Sequence, residues 1–133
     1  MSGEDEDDPL DDIFVDGDKK DRELIASIIN PYLQIDTDGG ELYPNEGFGE
    51  LDSKDKILIT LAAEQAKEVR GIVDTAALGP SEISDLSGVK ENTVKPGVRD
   101  LADEGLIADT NDGYEIRGPQ LQRMADRLAA EDN

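Results

Sequence analysis

Five polar side chains cluster within ten residues of the segment SGVKENTVKPGVRDLADEGLI, which spans residues 87–107. They are Lys90, Asn92, Thr93, Lys95 and Arg99. Asparagine and arginine can form paired hydrogen bonds with the edges of adenine and guanine. Lysine and threonine side chains, and the backbone amides at the start of a helix, bind phosphate oxygens. These residue types therefore have the chemistry that is needed to contact a nucleic acid.

Apolar residues in the same segment predict the direction of these side chains. Val94, Val98 and Leu101 recur at the spacing of one helix face, so with that face toward a core the polar set points outward. A solvated helix face and a protein-binding surface are two other interpretations of the pattern. Pro96 lies close enough to the helix start to be tolerated. Gly97 offers no side chain to an approaching backbone, and we expect the pair to shape a contact surface.

Two helices are predicted before this segment. The pattern of residues 51–71 predicts a helix that is capped at its first residues and ends at Gly71. Residues 72–79 are expected to be a short extended linker. The stretch PSEISDLSG predicts a second helix, with Pro80 just before its start, Ser81 as the N-cap residue and Gly88 at its end. Gly88 then lies in a tight turn, where a left-handed backbone suits glycine.

A hairpin and a final helix are predicted after the segment. Strands at 106–109 and 114–117 flank an Asn-Asp-Gly sequence that suits a tight turn. The last helix carries Leu121, Met124 and Leu128 on one face. Such a face is either core packing or a dimer seam. The dimer seam is favoured, because little of its own domain is left for a single C-terminal helix to cover.

The order of these elements is helix, short extended segment, helix, tight turn, helix, hairpin and helix. The stretches PSEISDLSGVKENTVKPGVRDLADEGLI and ADTNDGYEIRG resemble the winged helix-turn-helix regulators of archaea and bacteria, in the broad MarR, ArsR and Lrp-like group. The resemblance covers roughly residues 51–128. It implies a third helix in the major groove, flanking helices that form a two-fold dimer, and a wing that touches DNA. Arg117 is the basic residue of that wing.

The charge of the chain opposes binding to a polyanion and needs an explanation. Thirty-three acidic residues against 13 basic ones give a net charge of −20. A nucleic-acid mimic or a disordered acidic tail is one interpretation. Acidic residues are also spread over every downstream helix, which favours a surface adapted to molar salt, as in halophilic archaea. At about 1 M salt the Debye length is about 3 Å, so charge repulsion is largely screened.

Residues 1–18 contain nine acidic residues and no basic one. Such a block repels itself and cannot bury surface, so we expect a disordered acidic arm. The apolar run LDDIFV within it is either a docking peptide for a partner or a loose contact with the protein's own surface.

Residues 19–50 are predicted to form a helix and a β-hairpin that extend the main domain, residues 51–133. A helical pattern begins at Lys19 and stops at Pro31, and alternation about an Asp-Gly-Gly turn indicates the hairpin. The stretch NEGFGE is expected to be a loop. Asp36, Asp38 and Glu41 resemble part of a calcium loop, but the twelve-position ligand pattern is absent, which favours a hairpin turn.

The composition excludes several kinds of chemistry. The chain has no cysteine and no histidine, so disulfides, thiolate or imidazole metal ligands and the usual catalytic triads are excluded. No nucleophile stands out beside a base, and we expect neither enzyme activity nor a cofactor. The absence of a long apolar run or an apolar leader favours a cytoplasmic protein with no membrane contact.

The sequence thus predicts a mainly helical fold with a small β component, a winged helix-turn-helix with an N-terminal extension and a C-terminal helix. The predicted function is sequence-specific binding of double-stranded DNA by a transcriptional regulator, as a homodimer in high salt. The N-terminal region would be available to a partner in the transcription machinery. The alternative is a winged-helix module for protein–protein interaction with an acidic arm.

Overall fold

The computed structural model of the chain describes residues 9–131, apart from the side chains of Asp12 and Glu131. In chain order the elements are a 3-10 turn (Pro9–Asp12), α1 (Gly17–Ile29), β1 (Leu33–Ile35), β2 (Leu42–Pro44), α2 (Glu46–Gly49), α3 (Ser53–Val69), α4 (Pro80–Ser87), α5 (Glu91–Asp103), β3 (Ala108–Thr110), β4 (Gly113–Glu115) and α6 (Pro119–Glu131). The strands form two antiparallel pairs, β1 with β2 and β3 with β4. The prediction of a mainly helical fold with a small β component is confirmed.

Helix α3 lies at the centre of the core. Its apolar residues from Ile57 to Ala63 are fully buried, because α1, α4, α5 and α6 all pack against it. A helix that is apolar on most of its circumference can be stable only when other elements cover it on several sides. Asp52 caps its first turn and accepts a hydrogen bond from the Asp55 amide at 2.8 Å.

Helix α1 and the first hairpin pack into this same core. Ile25, Ile28 and Ile29 of α1 and Leu33 of β1 are buried together with α3. Residues 1–8 of the predicted acidic arm lie outside the described residues, and α1 begins at Gly17, within the segment predicted to be disordered. The extension at residues 19–50 therefore contributes directly to the packing of residues 51–131.

The predicted hairpin is present, with Leu33 paired to Pro44 and Ile35 to Leu42. At its turn the Asp36 carboxylate accepts hydrogen bonds from the amides of Asp38 and Gly39, at 3.1 and 2.6 Å. An aspartate that bonds to the backbone two and three residues ahead is the usual chemistry of a turn. The geometry thus supports the hairpin interpretation of this acidic stretch.

Two local predictions are wrong. The stretch NEGFGE contains the short helix α2, because the Asn45 side chain caps it at the Phe48 amide (3.1 Å) and Phe48 is buried in the core. The N-cap of α4 is Gly79 instead of Ser81, and Pro80 occupies the first helical position. That position suits proline, because an amide hydrogen there would have no acceptor within the helix and proline lacks one.

The apolar face of α6 is not a dimer seam. Leu121, Met124 and Leu128 are at most 7% exposed, and α6 packs against α1 and α3 of the same chain. The prediction of a dimer seam on α6 is wrong, because local sequence does not reveal that a distant helix of the same chain covers this face. Helix α1, which comes about a hundred residues earlier, covers it.

Candidate nucleic-acid interface

A tight turn sets the angle between α4 and α5. Gly88 adopts a left-handed backbone with φ of 80°, a conformation that costs glycine little. The Ser84 hydroxyl donates to the Val89 carbonyl at 2.6 Å, and the Val89 amide donates to the Ser87 hydroxyl at 3.1 Å. Val89 itself is buried. These bonds and the buried valine hold the start of α5 in a defined place.

Three apolar residues orient α5 about its own axis. Val94, Val98 and Leu101 are at most 1% exposed, as the spacing predicts. At its end the Leu106 amide donates to the Leu101 carbonyl at 3.0 Å, and Gly105 has φ of 79°. This closure is a Schellman motif, which satisfies the last carbonyls of a helix.

Gly97 lets α5 approach α3 closely. A Cβ atom on Gly97 would lie 3.0 Å from the Cδ1 atom of Ile57, and both residues are buried. The expectation that Gly97 shapes an outer contact surface is therefore wrong, because its open side faces the core. Pro96 is exposed and lacks the amide that would bond to the carbonyl of Asn92.

The polar set predicted from the sequence lies on the solvent side of α5 and of the turn before it. All five side chains are in exposed residues, namely Lys90, Asn92, Thr93, Lys95 and Arg99. Asn92, Lys95 and Arg99 follow each other at spacings of three and four residues, which places them on one helix face. We call these five residues the α5 face.

Two of the three cations on the α5 face are unpaired. Neither Lys90 nor Arg99 forms an ion pair or a hydrogen bond with any side chain in the described part of the chain. Lys95 lies 3.6 Å from the Glu91 carboxylate, and both side chains are about half exposed. An exposed pair of this kind contributes little free energy, so Lys95 can exchange Glu91 for another anion at small cost.

The start of α5 is itself suited to an anion. Lys90 occupies the N-cap position but supplies no capping hydrogen bond from its side chain. The amides of Glu91 and Asn92 therefore have no protein acceptor among the described residues. Free amides and the positive end of the helix dipole at this point favour a bound phosphate or carboxylate.

Lys54 belongs to the neighbourhood of the α5 face but was not predicted. Its Nζ atom lies 3.3 Å from Asp100 and 3.7 Å from Glu104, at the far end of α5. This ammonium partly neutralises two carboxylates on the helix that carries the candidate site. No local sequence signal links residues about fifty positions apart, so only packing reveals this contact.

Arg117 is engaged by carboxylates of its own chain. Its Nη2 atom lies 2.8 Å from both oxygens of Glu68, and its Nε atom donates to Glu115. Glu68 also accepts a hydrogen bond from the Ala76 amide at 3.0 Å. Burial lowers the pKa of Arg117, but the hydrogen bonds and charges of Glu115 and Glu68 outweigh it and raise that pKa above its usual value. Arg117 thus ties the second hairpin to α3.

The second hairpin presents acidic residues at its tip. The predicted Asn-Asp-Gly turn is present, and the Thr110 hydroxyl donates to the Gly113 carbonyl across it at 2.7 Å. Asp109 and Asp112 are both exposed there. The strands are shifted from the predicted bounds, to 108–110 and 113–115, because the Schellman closure of α5 still holds residue 106.

A third extended segment pairs with this hairpin. Leu78, in the linker before α4, exchanges two backbone hydrogen bonds with Tyr114, at 2.9 and 2.8 Å. The approach is close enough that a Cβ on Gly113 would lie 2.6 Å from the Leu78 backbone. The linker before α4 therefore pairs with strand β4 of the hairpin at Leu78.

Comparison with family models, with curated proteins and with solved structures finds no match to this chain. Among the described helices, none is both long enough and apolar enough to span a membrane. Support for the candidate interface therefore comes from its geometry and its residue types.

Proposed function

We propose that this protein is a winged helix-turn-helix transcriptional regulator that binds double-stranded DNA through α5. The element order supports this proposal: α3, the Leu78 segment, α4, a glycine turn, α5, the β3–β4 hairpin and α6 follow one another as in a winged helix. In that arrangement α5 is the helix that enters the major groove.

The observation that carries the proposal is the α5 face. It gathers Lys90, Lys95 and Arg99 with two uncharged hydrogen-bonding side chains in a protein of net charge −20. Arginine and asparagine supply the paired hydrogen bonds that distinguish guanine and adenine in the major groove. Lysines and the open amides at the helix start suit phosphates on either side.

The hairpin has a different role in this proposal from the one the family resemblance implies. Arg117 is held by Glu68 and Glu115, and the tip carries Asp109 and Asp112. We therefore assign the hairpin to supporting α5 instead of contacting phosphates. Molar salt shortens the range of repulsion between these carboxylates and DNA to about 3 Å. Binding then depends mainly on hydrogen bonds and shape fit at the α5 face.

A random-sequence DNA duplex pool tests this proposal. After selection at about 2 M KCl, the affinity of the enriched duplex is measured by fluorescence anisotropy from about 0.2 to 3 M KCl. Arg99→Ala should weaken binding by about 1–3 kcal/mol, the value of one paired base contact. Asn92→Ala should weaken it similarly and relax the preference at one base position.

The matched control is Lys20→Ala, which removes one exposed positive charge on α1, outside the α5 face. It should change affinity far less than Arg99→Ala. The proposal fails if the selection enriches no duplex, or if the two variants weaken binding equally.

A second candidate function is a winged-helix module that binds another protein. The exposed carboxylates Asp109 and Asp112 favour it, because a DNA-binding hairpin ordinarily presents basic residues. Neutralising both with asparagine distinguishes the two functions. For a DNA-binding protein the change should raise DNA affinity, most strongly at low salt. For a protein-binding module it should leave DNA binding undetectable and weaken capture of the protein partner.

A further inference from the structure

Large apolar side chains are exposed at two places in the described part of the chain. Ile13, Phe14 and Val15 are 65–71% exposed, Leu10 is 52% exposed, and Tyr43 is 54% exposed. The first four belong to residues 10–15, the apolar part of the acidic segment 1–18, and from here on the arm means residues 10–15 alone. Tyr43 lies on a groove described below. Neighbouring apolar side chains that are exposed to water commonly mark a contact site.

The groove lies between α1, the first hairpin and the last turns of α3. Its volume is about 1010 Å³, and its walls include Ile29, Ile35, Tyr43 and Val69. Most of its lining is apolar. Residues 10–15 do not line it, so the chain's own arm leaves it open.

Two arginines border the groove. Arg22 on α1 and Arg70 at the end of α3 are exposed, and neither forms an ion pair with a described side chain. Both guanidinium groups can therefore accept a carboxylate from a partner at the edge of the groove. Glu23 also lines the groove, and the Asp36 carboxylate there is already engaged by the backbone of its own turn.

The arm has the complementary chemistry. Its sequence, LDDIFV, combines large apolar side chains with acidic residues, and Asp11 is exposed. Apolar residues of the arm can fill the groove while its carboxylates meet Arg22 and Arg70. Six extended residues reach about 20 Å, which is about the length of a thirteen-residue helix such as α1.

We infer that the groove binds the arm of a second copy of this chain. In the described conformation the arm leaves α1 at its capped N-terminus, where Asp16 accepts hydrogen bonds from the amides of Asp18 and Lys19. Val15 then lies in a cleft with Lys19 and Gln122, next to the groove along α1 but not part of its lining. Exchange of arms between two copies fills both grooves by one two-fold operation and leaves no open site.

This inference does not depend on DNA binding. The exchanged arms would form a dimer interface that does not involve α6, whose apolar face is buried within the chain. At molar salt the apolar contacts of the arm should dominate, because screening weakens the contribution of Arg22 and Arg70. The arginines should matter more as the salt concentration falls.

The test measures the mass of the full chain by light scattering after size-exclusion chromatography, over a range of protein concentrations. The arm variant replaces Ile13, Phe14 and Val15 with serine. The groove variant is Ala26→Glu, which places a long acidic side chain at an exposed α1 position on the groove. Its matched control is Ala130→Glu, the same change at an exposed position of α6.

The wild type and Ala130→Glu should be dimers, and both other variants should dimerise at least about tenfold more weakly. A mixture of the arm variant with the groove variant should form a heterodimer, because an intact arm then meets an intact groove once. Monomeric wild type at every concentration would overturn the inference. So would a dimer that neither variant weakens, or a mixture that associates no better than its components.

Discussion

Gly97→Ala should destabilise this protein, although alanine is the better helix former. Gly97 lies inside α5 with its open side toward α3, and an added Cβ would lie 3.0 Å from Cδ1 of Ile57. Ile57 is fully buried, so its side chain has little room to move away. The substitution therefore sets a gain in helix propensity against a loss from overpacking.

The expected change in the free energy of unfolding is the difference between a gain in helix propensity and a cost of overpacking. Alanine is favoured over glycine in a helix interior by about 0.8–1.0 kcal/mol. An extra methyl group in a packed core costs about 1–3 kcal/mol. The difference predicts a net loss of up to about 2 kcal/mol for Gly97→Ala. The neighbouring substitution Pro96→Ala should have the opposite sign, with a gain of about 2 kcal/mol, because it restores an amide donor at an exposed site.

A double-mutant cycle with Ile57→Val separates packing from propensity. Ile57→Val alone removes Cδ1 and should cost about 0.5–1.5 kcal/mol. In the Gly97→Ala background the missing Cδ1 leaves room for the new methyl group. The double variant should therefore lose less stability than the sum of the two single variants, by at least about 0.5 kcal/mol.

The free energy of unfolding is measured by urea titration with circular dichroism, at one fixed KCl concentration. Gly49→Ala is the control, since a Cβ at that position would meet nothing within 4 Å, and we expect almost no loss. The reasoning is refuted if Gly97→Ala stabilises the protein by its full propensity gain and is additive with Ile57→Val.

Met124→Ala should cost about 2–5 kcal/mol in the same titration, because Met124 is fully buried, and light scattering should find the oligomeric state unchanged. Gly113→Ala should lower the melting temperature and expose the amides of Leu78 and Tyr114 to hydrogen exchange, because Gly113 has φ of 133° and adjoins the Leu78 backbone. Asp55→Asn should cost about 1–3 kcal/mol in urea, because the buried Asp55 carboxylate lies 2.9 Å from the Arg127 guanidinium.

Each of these three predictions has an outcome that contradicts it. Dimer dissociation by Met124→Ala would restore α6 as a subunit contact. Unchanged hydrogen exchange in Gly113→Ala would mean that the Leu78 pairing tolerates a side chain. A loss no larger than that of Asp85→Asn, the same change at an exposed position of α4, would mean that Asp55 and Arg127 contribute little together.

Local patterns were sufficient to predict most elements and the exposed α5 face. The inward direction of Val94, Val98 and Leu101 follows from helix periodicity, and it leaves the polar residues between them outside. Gly88 marks a turn because few other residues adopt its backbone conformation at low cost. These properties depend on neighbours within a few residues, which the sequence displays directly.

Contacts between distant segments depended on the packing of the whole chain. Glu68 and Arg117 meet although they are 49 positions apart, and this contact is the reason why we propose internal support instead of DNA contact for Arg117. The sequence favours a place on the outer surface for Gly97, whereas packing brings Gly97 against Ile57 in the core. Periodicity indicates that a helix face is buried, but only the arrangement of the other helices decides which segment covers it. For α6 that segment is α1 of the same chain.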